Sequence, residues 1–188
     1  MAIHIIGIGG STAQTCTSSW ALQHALKSAE AAGATTEEFL IRDLEIPMYV
    51  HEPDATPPAD AQALADAIAR ADGLIWSSPL YQGTVSGAFK NVIDWFQLTA
   101  SNNPPYLTNK VVGLICAAGG THGLQAINTM EYMVHALRGW AVPLVAPLSR
   151  ASKLFDEQGN ITDPATALLL KGLGAEVVKG ATAFHTER

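Results

Sequence analysis

Three short stretches concentrate the residues that could do chemistry. The first, GIGGSTAQTCTSS at 7–19, turns sharply on glycines and then offers hydroxyls as a helix begins. Free amide N–H groups at a helix start, with the helix dipole behind them, suit an anion such as a phosphate. Alone, this stretch reads first as a glycine turn with a Ser/Thr cap. The second, SSPLYQG at 77–83, sets backbone donors beside an aromatic ring. The third, AAGGTHG at 117–123, lets main chain lie close against a flat ligand, because glycine has no side chain to intrude. Singly, the third is a strand-to-helix turn and Tyr81 a surface aromatic. Together the three favour a site: a phosphate at one loop and a planar ring between the other two describe a flavin mononucleotide.

Competing phosphate motifs fail on spacing. Gly7-x-Gly9 begins a dinucleotide fingerprint, but Thr12 stands in the place of its third glycine. The chain contains no Gly-Lys-Ser/Thr and no Gly-x-Ser-x-Gly elbow. A phosphatase-like loop from Cys16 would need a following Arg, which is missing, and the first strand ends in Gly rather than in a receiver's acidic residues. His4, His24, His51, His135 and His185 lack metal spacing and read as structural, so no metal site is expected. Cys16 and Cys116 have neither paired nor metal-type spacing, which fits a reduced, cytoplasmic protein. With no His or Arg partner in view, Cys16 reads as a packed or partly exposed thiol rather than a nucleophile.

These loops need elements to position them. Apolar runs at 3–8, 38–41, 73–77, 111–117 and 142–145 read as strands, the last cut short by Pro147. Helical patterns fall at 20–32, stopped by Gly33, then at 60–71, 85–99 and from the third loop to 138. Residues 42–59 form a Pro-rich connection, and Asp163-Pro164 opens a final helix. Strand and helix alternate without repeats or a linker, which implies a parallel sheet with helices on both faces. Right-handed crossovers then favour a doubly wound five-stranded sheet in the order 2-1-3-4-5, an α/β three-layer sandwich. In that order the three loops meet over the carboxyl ends of the first, third and fourth strands.

Composition sets outer bounds. A chain of 188 residues with 48% hydrophobic content is read as one domain, 1–188, with a full core. A net charge of −6 without clustered Lys or Arg argues against nucleic acid as a partner. Apolar runs are too short for a membrane span, and neither a signal peptide nor a membrane partner is expected.

The chain resembles the NADPH-dependent FMN reductase family of flavodoxin-like proteins across essentially its whole length. GGSTAQTCTSS corresponds to that family's phosphate loop and AAGGTHGLQ to its Gly-rich third loop. ADGLIWSSPLYQGTVSGAFKNVIDW carries the most specific likeness, ordinarily Pro-x-Tyr-x-Gly followed by Lys-Asn-x-x-Asp-Trp. The resemblance implies phosphate contacts at Ser11, Ala13, Thr15, Cys16 and Thr17, and flavin contacts at Pro79, Leu80, Tyr81, Gln82, Gly83 and Thr84. Gln82 stands where the family usually has Asn. Gly119, Gly120, Thr121 and His122 match the third loop, and His122, a candidate contact for flavin or nicotinamide, competes with the plainer reading of a surface histidine. The family often has Arg at Ala13 and Ser at Cys16, so phosphate binding here leans on amides and on Ser11, Thr15 and Thr17, with looser FMN binding expected.

The implied activity is an FMN-dependent NAD(P)H oxidoreductase, with NADPH or NADH giving hydride to the flavin N5 and electrons passing on to a flavin, quinone or other small acceptor. Such chemistry belongs to the cofactor, so no catalytic side chain is named. The alternative is a flavodoxin-like electron carrier that binds FMN without NAD(P)H turnover; a third reading is a fold relative that has lost flavin. On the third helix Phe89, Val92, Ile93 and Phe96 form a core stripe, while Lys90 and Asp94 read as a solvated pair four apart. Trp95 and Leu98 lie off the stripe, and this second apolar face is read as the interface of a homodimer or homotetramer. Met130 and Met133 read as core or interface.

Overall fold

The computed structural model describes residues 2–52 and 55–185; of the Pro-rich connection, 53 and 54 lie outside them. Strands β1 (His4–Gly9), β2 (Thr35–Leu40), β3 (Gly73–Tyr81), β5 (Val111–Ala117) and β6 (Trp140–Leu148) form a parallel sheet in the order β2-β1-β3-β5-β6. Counting parallel strands alone, this is the expected 2-1-3-4-5. A sixth, two-residue strand, β4 (Thr84–Val85), pairs antiparallel with the end of β3.

Alternate strand residues supply two cores, because helices cover both faces. Ile5, Ile75 and Ile115 pack with Leu22 and Leu26 of α1 (Thr17–Ala31) and Leu173 and Val177 of α5 (Pro164–His185). Ile6, Leu74, Trp76 and Leu114 pack against α2 (Ala59–Arg70), α3 (Gly87–Asp94) and α4 (Gly123–Ala136). Trp76 is fully buried, with Phe89 and Phe96 edge-on to it at 5.7 and 5.9 Å. Truncating such a residue to alanine costs about 3–5 kcal/mol. Met130 belongs to the same core.

Element ends differ from the sequence expectation for identifiable reasons. Gly33, at φ 95°, does end α1, where a left-handed residue suits the C-terminal turn. That helix starts at Thr17 rather than 20, with Cys16 extended as its cap residue. The second strand begins at Thr35 and stops at Leu40, because Ile41–Asp43 turns as a short 3-10 helix. The third helix begins only at Gly87, since Val85 is in β4, and it tightens into a 3-10 segment over Trp95–Thr99. Pro147 does not end the last strand, which runs on to Leu148. That strand is an edge, so a proline without an N–H leaves no partner unsatisfied on its open side. Pro143 sits where the register between Val112 and Leu114 slips, and such bulges tolerate proline. At the far end Asp163 caps α5, accepting from the Thr166 N–H and hydroxyl, both at 2.7 Å.

Candidate functional site

Buried serines knit the first two loops together. The Gly10 N–H donates to Ser77 O at 2.7 Å, and the Ser77 hydroxyl donates to Ser18 O at 2.7 Å. Ser86 is the N-cap of α3: its Oγ accepts from the Phe89 N–H at 3.0 Å and donates to Gly10 O at 2.5 Å. Its own N–H donates to the Ser78 hydroxyl at 3.1 Å. Ser77, Ser78 and Ser86 are all buried, where an unpaired hydroxyl or carbonyl would be costly. Gly10 is tightly enclosed, for a Cβ there would lie 2.8 Å from the Phe89 ring.

The expected 77–83 loop is in fact strand and hairpin. Pro79, Leu80 and Tyr81 finish β3, Gln82 and Gly83 turn at φ 49° and 86°, and Thr84 starts β4. Two successive positive φ values mark a tight hairpin turn whose twist matches its strands. Pro79 is buried and Leu80 half-buried, while Gln82, Gly83 and Thr84 are exposed and Tyr81 is 54% exposed. The Thr84 hydroxyl donates to that of Thr129 at 3.0 Å, bracing the hairpin against α4. The third loop is held from β6, with Ala118 N–H on Leu148 O and Arg150 N–H on Gly120 O, both at 2.9 Å. Gly119 and Gly120 are exposed, and a Cβ on either would meet nothing within 4 Å. His122 is exposed and begins α4 without a side-chain cap bond.

The phosphate-loop candidates differ among themselves. Ser11 is buried and its Oγ accepts from the Ala13 N–H at 3.2 Å; Ala13 and Thr15 are exposed. Cys16 and Thr17 are half-buried. Among the described residues the amides of Gln14, Thr15, Cys16 and Thr17 donate to no protein acceptor. Burial alone would raise the Cys16 thiol, but hydrogen bonds from the Ser11 and Ser18 hydroxyls and the Ser18 and Ser19 backbone outweigh it, holding the thiol below its ordinary value. Its sulfur lies 2.9 Å from Ser18 Oγ. Burial alone pushes the Cys116 thiol up to about 12.

Sequence reasoning missed two parts of this arrangement. The serine network pairs residues 59 and 76 positions apart, and no local pattern announces such contacts. Arg42 is the other: its Nη1 donates to Gln14 O at 2.7 Å. A cavity of about 580 Å³ lies elsewhere, lined by Pro47, Met48, Tyr49, Trp95 and Leu98 among others and by none of the loop candidates. At the loops themselves, Tyr81–Thr84 and Gly119–His122 lie exposed. Trp95 has company within the chain: its Nε1 donates to Pro47 O at 3.0 Å, and Tyr49 sits edge-on at 5.2 Å. Lys90 and Asp94 form a half-exposed pair at 2.5 Å. Among the described residues no group of three or more His, Cys, Asp or Glu could hold a metal ion, and no helix is long and apolar enough to cross a membrane.

A parallel sheet in this order, with its loops gathered over the carboxyl ends of β1, β3 and β5, defines a flavodoxin-like protein. The family model for NADPH-dependent FMN reductase matches residues 3–152, and the chain belongs to that family. It is 24% identical over 159 residues to the NADPH-dependent FMN reductase ArsH of Shigella flexneri, covering 85% of this chain and 61% of that one. An NADPH azoreductase of a Bacillus species is 26% identical over 131 residues, covering 70% and 71%. The chain spans 61%, 54% and 46% of three NADPH-dependent FMN reductases it matches. Among solved structures, the NAD(P)H:(acceptor) oxidoreductase FerB of Paracoccus denitrificans superposes with a TM-score of 0.73 at 21% identity, covering 97% of this chain and 98% of that one. RosB with a bound riboflavin-phosphate intermediate gives 0.83 at 16% identity, covering 98% and 81%.

Proposed function

We propose that this protein is an FMN-dependent NAD(P)H oxidoreductase acting on a flavin, a quinone or another small acceptor. The observation that carries the reading is the run of unpartnered amides at Gln14–Thr17, at the start of α1 and at the same carboxyl end of the sheet as the exposed Gly119-Gly120 backbone. Four adjacent donors at a helix start match a phosphate monoester, and exposed glycine backbone matches a planar ring. The donor set therefore fits FMN. When bound, FMN would take a hydride from NADPH or NADH and release electrons to the acceptor. The protein's part is to bind and orient. Thr15, Cys16 and Thr17 would hold the phosphate through hydroxyls, thiol and amides, with Ser11 bracing the loop beneath them and Ala13 adding only its backbone. Pro79 through Thr84 would border one side of the ring, with the Gln82 side chain and Gly83 N–H available as donors, and Gly119, Gly120 and His122 would border the other. Backbone donors near the ring's polar edge would stabilise the negative charge that reduction places there.

Anaerobic mixing of FMN-loaded protein with NADPH tests this reading. Bleaching of the flavin absorbance, followed by turnover when a quinone or free flavin is added, is the expected result. Bound FMN that neither NADPH nor NADH bleaches would favour the electron carrier instead.

For assembly we propose a homodimer or homotetramer using the face around Trp95 and Leu98. Met48 is 76% and Val50 58% exposed beside them, an apolar rim that a second copy would cover. Trp95 holds the 47–49 segment in place within its own chain, so Met48→Glu is the cleaner probe. Light scattering should report a smaller particle for that variant; an unchanged mass would contradict the proposal.

A further inference from the structure

Arg42 lies in the 3-10 turn after β2, far in sequence from all three loops. Its side chain is only 17% exposed. Nη1 donates to Gln14 O at 2.7 Å and, at longer reach, to Ala13 O at 3.4 Å, while Nε lies 3.6 Å from the Asp43 carboxylate. A guanidinium thus grips two consecutive carbonyls of a loop whose own residues, 11–17, include no Lys or Arg.

Peptide geometry turns that grip into a statement about donors. A trans peptide is planar, with its C=O and the next residue's N–H pointing in opposite directions. Drawing the Ala13 and Gln14 carbonyls toward Arg42 therefore turns the N–H groups of Gln14 and Thr15 away from it. Both amides belong to the run that has no protein acceptor among the described residues. Little else holds this segment: Ala13, Gln14 and Thr15 are exposed, and the local tie is the Ala13 N–H on Ser11 Oγ. Fixing donors before the ligand arrives removes an ordering cost that binding would otherwise carry.

We infer that Arg42 is the positioning residue of the phosphate loop: it presents the Gln14 and Thr15 amides to a phosphate monoester and backs them with a fixed positive charge. The inference rests on the flavin mononucleotide reading of the site. Arg42 acts through the loop, so its effect falls on the phosphate and spares the ring. A lysine at the same place would keep the charge but lose the second contact, Nε beside the Asp43 carboxylate, that fixes where Nη1 meets the two carbonyls.

The test is titration of FMN and of riboflavin, which lacks the phosphate, into the wild type and into Arg42→Ala, Arg42→Gln and Arg42→Lys, followed by flavin fluorescence. Arg42→Ala and Arg42→Gln should each weaken FMN binding by about tenfold or more, with riboflavin binding unchanged within about twofold. Arg42→Lys should recover only part of the loss. The inference is overturned by FMN affinity that survives Arg42→Ala, by equal weakening of both flavins, or by full rescue with lysine, which would make charge the whole effect. Should one neutral variant fold poorly, the other carries the comparison, with riboflavin binding as the sign of an intact ring site. A wild type that binds FMN no better than riboflavin would overturn the phosphate-loop reading itself, a result distinct from wild-type preference that Arg42→Ala leaves intact.

Discussion

The first loop and the hairpin sit side by side at the carboxyl end of the sheet, yet they are held in opposite ways. Around the hairpin, the buried hydroxyls of Ser77, Ser78 and Ser86 each have a partner, and those bonds reach back to Gly10 and α1. In the first loop, exposed backbone at Gln14 and Thr15 leaves its donors unused and is gripped from one side by Arg42. Water satisfies an exposed amide at little cost, whereas a buried orphan costs about 1–3 kcal/mol. The difference therefore separates stability from binding. Changes in the serine network should register first as lost folding energy, and changes in the open loop or at the exposed glycines as lost affinity.

The largest effect is expected at Ser86. Ser86→Ala removes the cap of α3 and strands both Phe89 N–H and Gly10 O in a buried setting. A loss of about 2–3 kcal/mol follows, or roughly 5–10 °C in Tm. Thr15→Ala in the open loop should leave Tm within about 2 °C by the same calorimetry. Equal losses at the two positions would erase the distinction between the regions.

A smaller effect, confined to binding, is expected at Gly120. A Cβ there meets no protein atom within 4 Å, so Gly120→Val should fold with unchanged Tm. A flavin ring laid on this backbone would meet the new side chain, and FMN affinity should fall at least about tenfold, or about 1.4 kcal/mol. Undiminished affinity in flavin fluorescence titrations would move the ring off the third loop.

How far the sequence disclosed this arrangement depended on the range of the interactions. Val111–Ala117 was legible to the residue because a strand buried on both faces must be apolar throughout. Thr84–Val85 was not, since two residues carry no period, and the hairpin's positive φ at Gln82 defies the usual Gly or Asn signal. Pro147 misled although the expected order already put the last strand at an edge, where a proline need not end it. Gly119 and Gly120 stood out from composition alone, but their freedom from neighbours did not. Arg42 was invisible: its partners lie 28 and 29 residues earlier, and the contact depends on where β2 ends. Trp95 read as an outward face, while it also meets Pro47 and Tyr49 from an irregular connection far back in the chain.

The central claim is that FMN lies across these three loops, with its phosphate on the first. Amide chemical-shift mapping of 15N-labelled protein during FMN titration tests it most directly. The account predicts that the largest changes centre on Gln14–Thr17, with further changes at Tyr81–Thr84 and Gly119–His122, and that riboflavin reproduces the second and third groups without the first. Changes centred instead on the cavity between Pro47 and Trp95, with the Gln14–Thr17 amides unmoved, would contradict it.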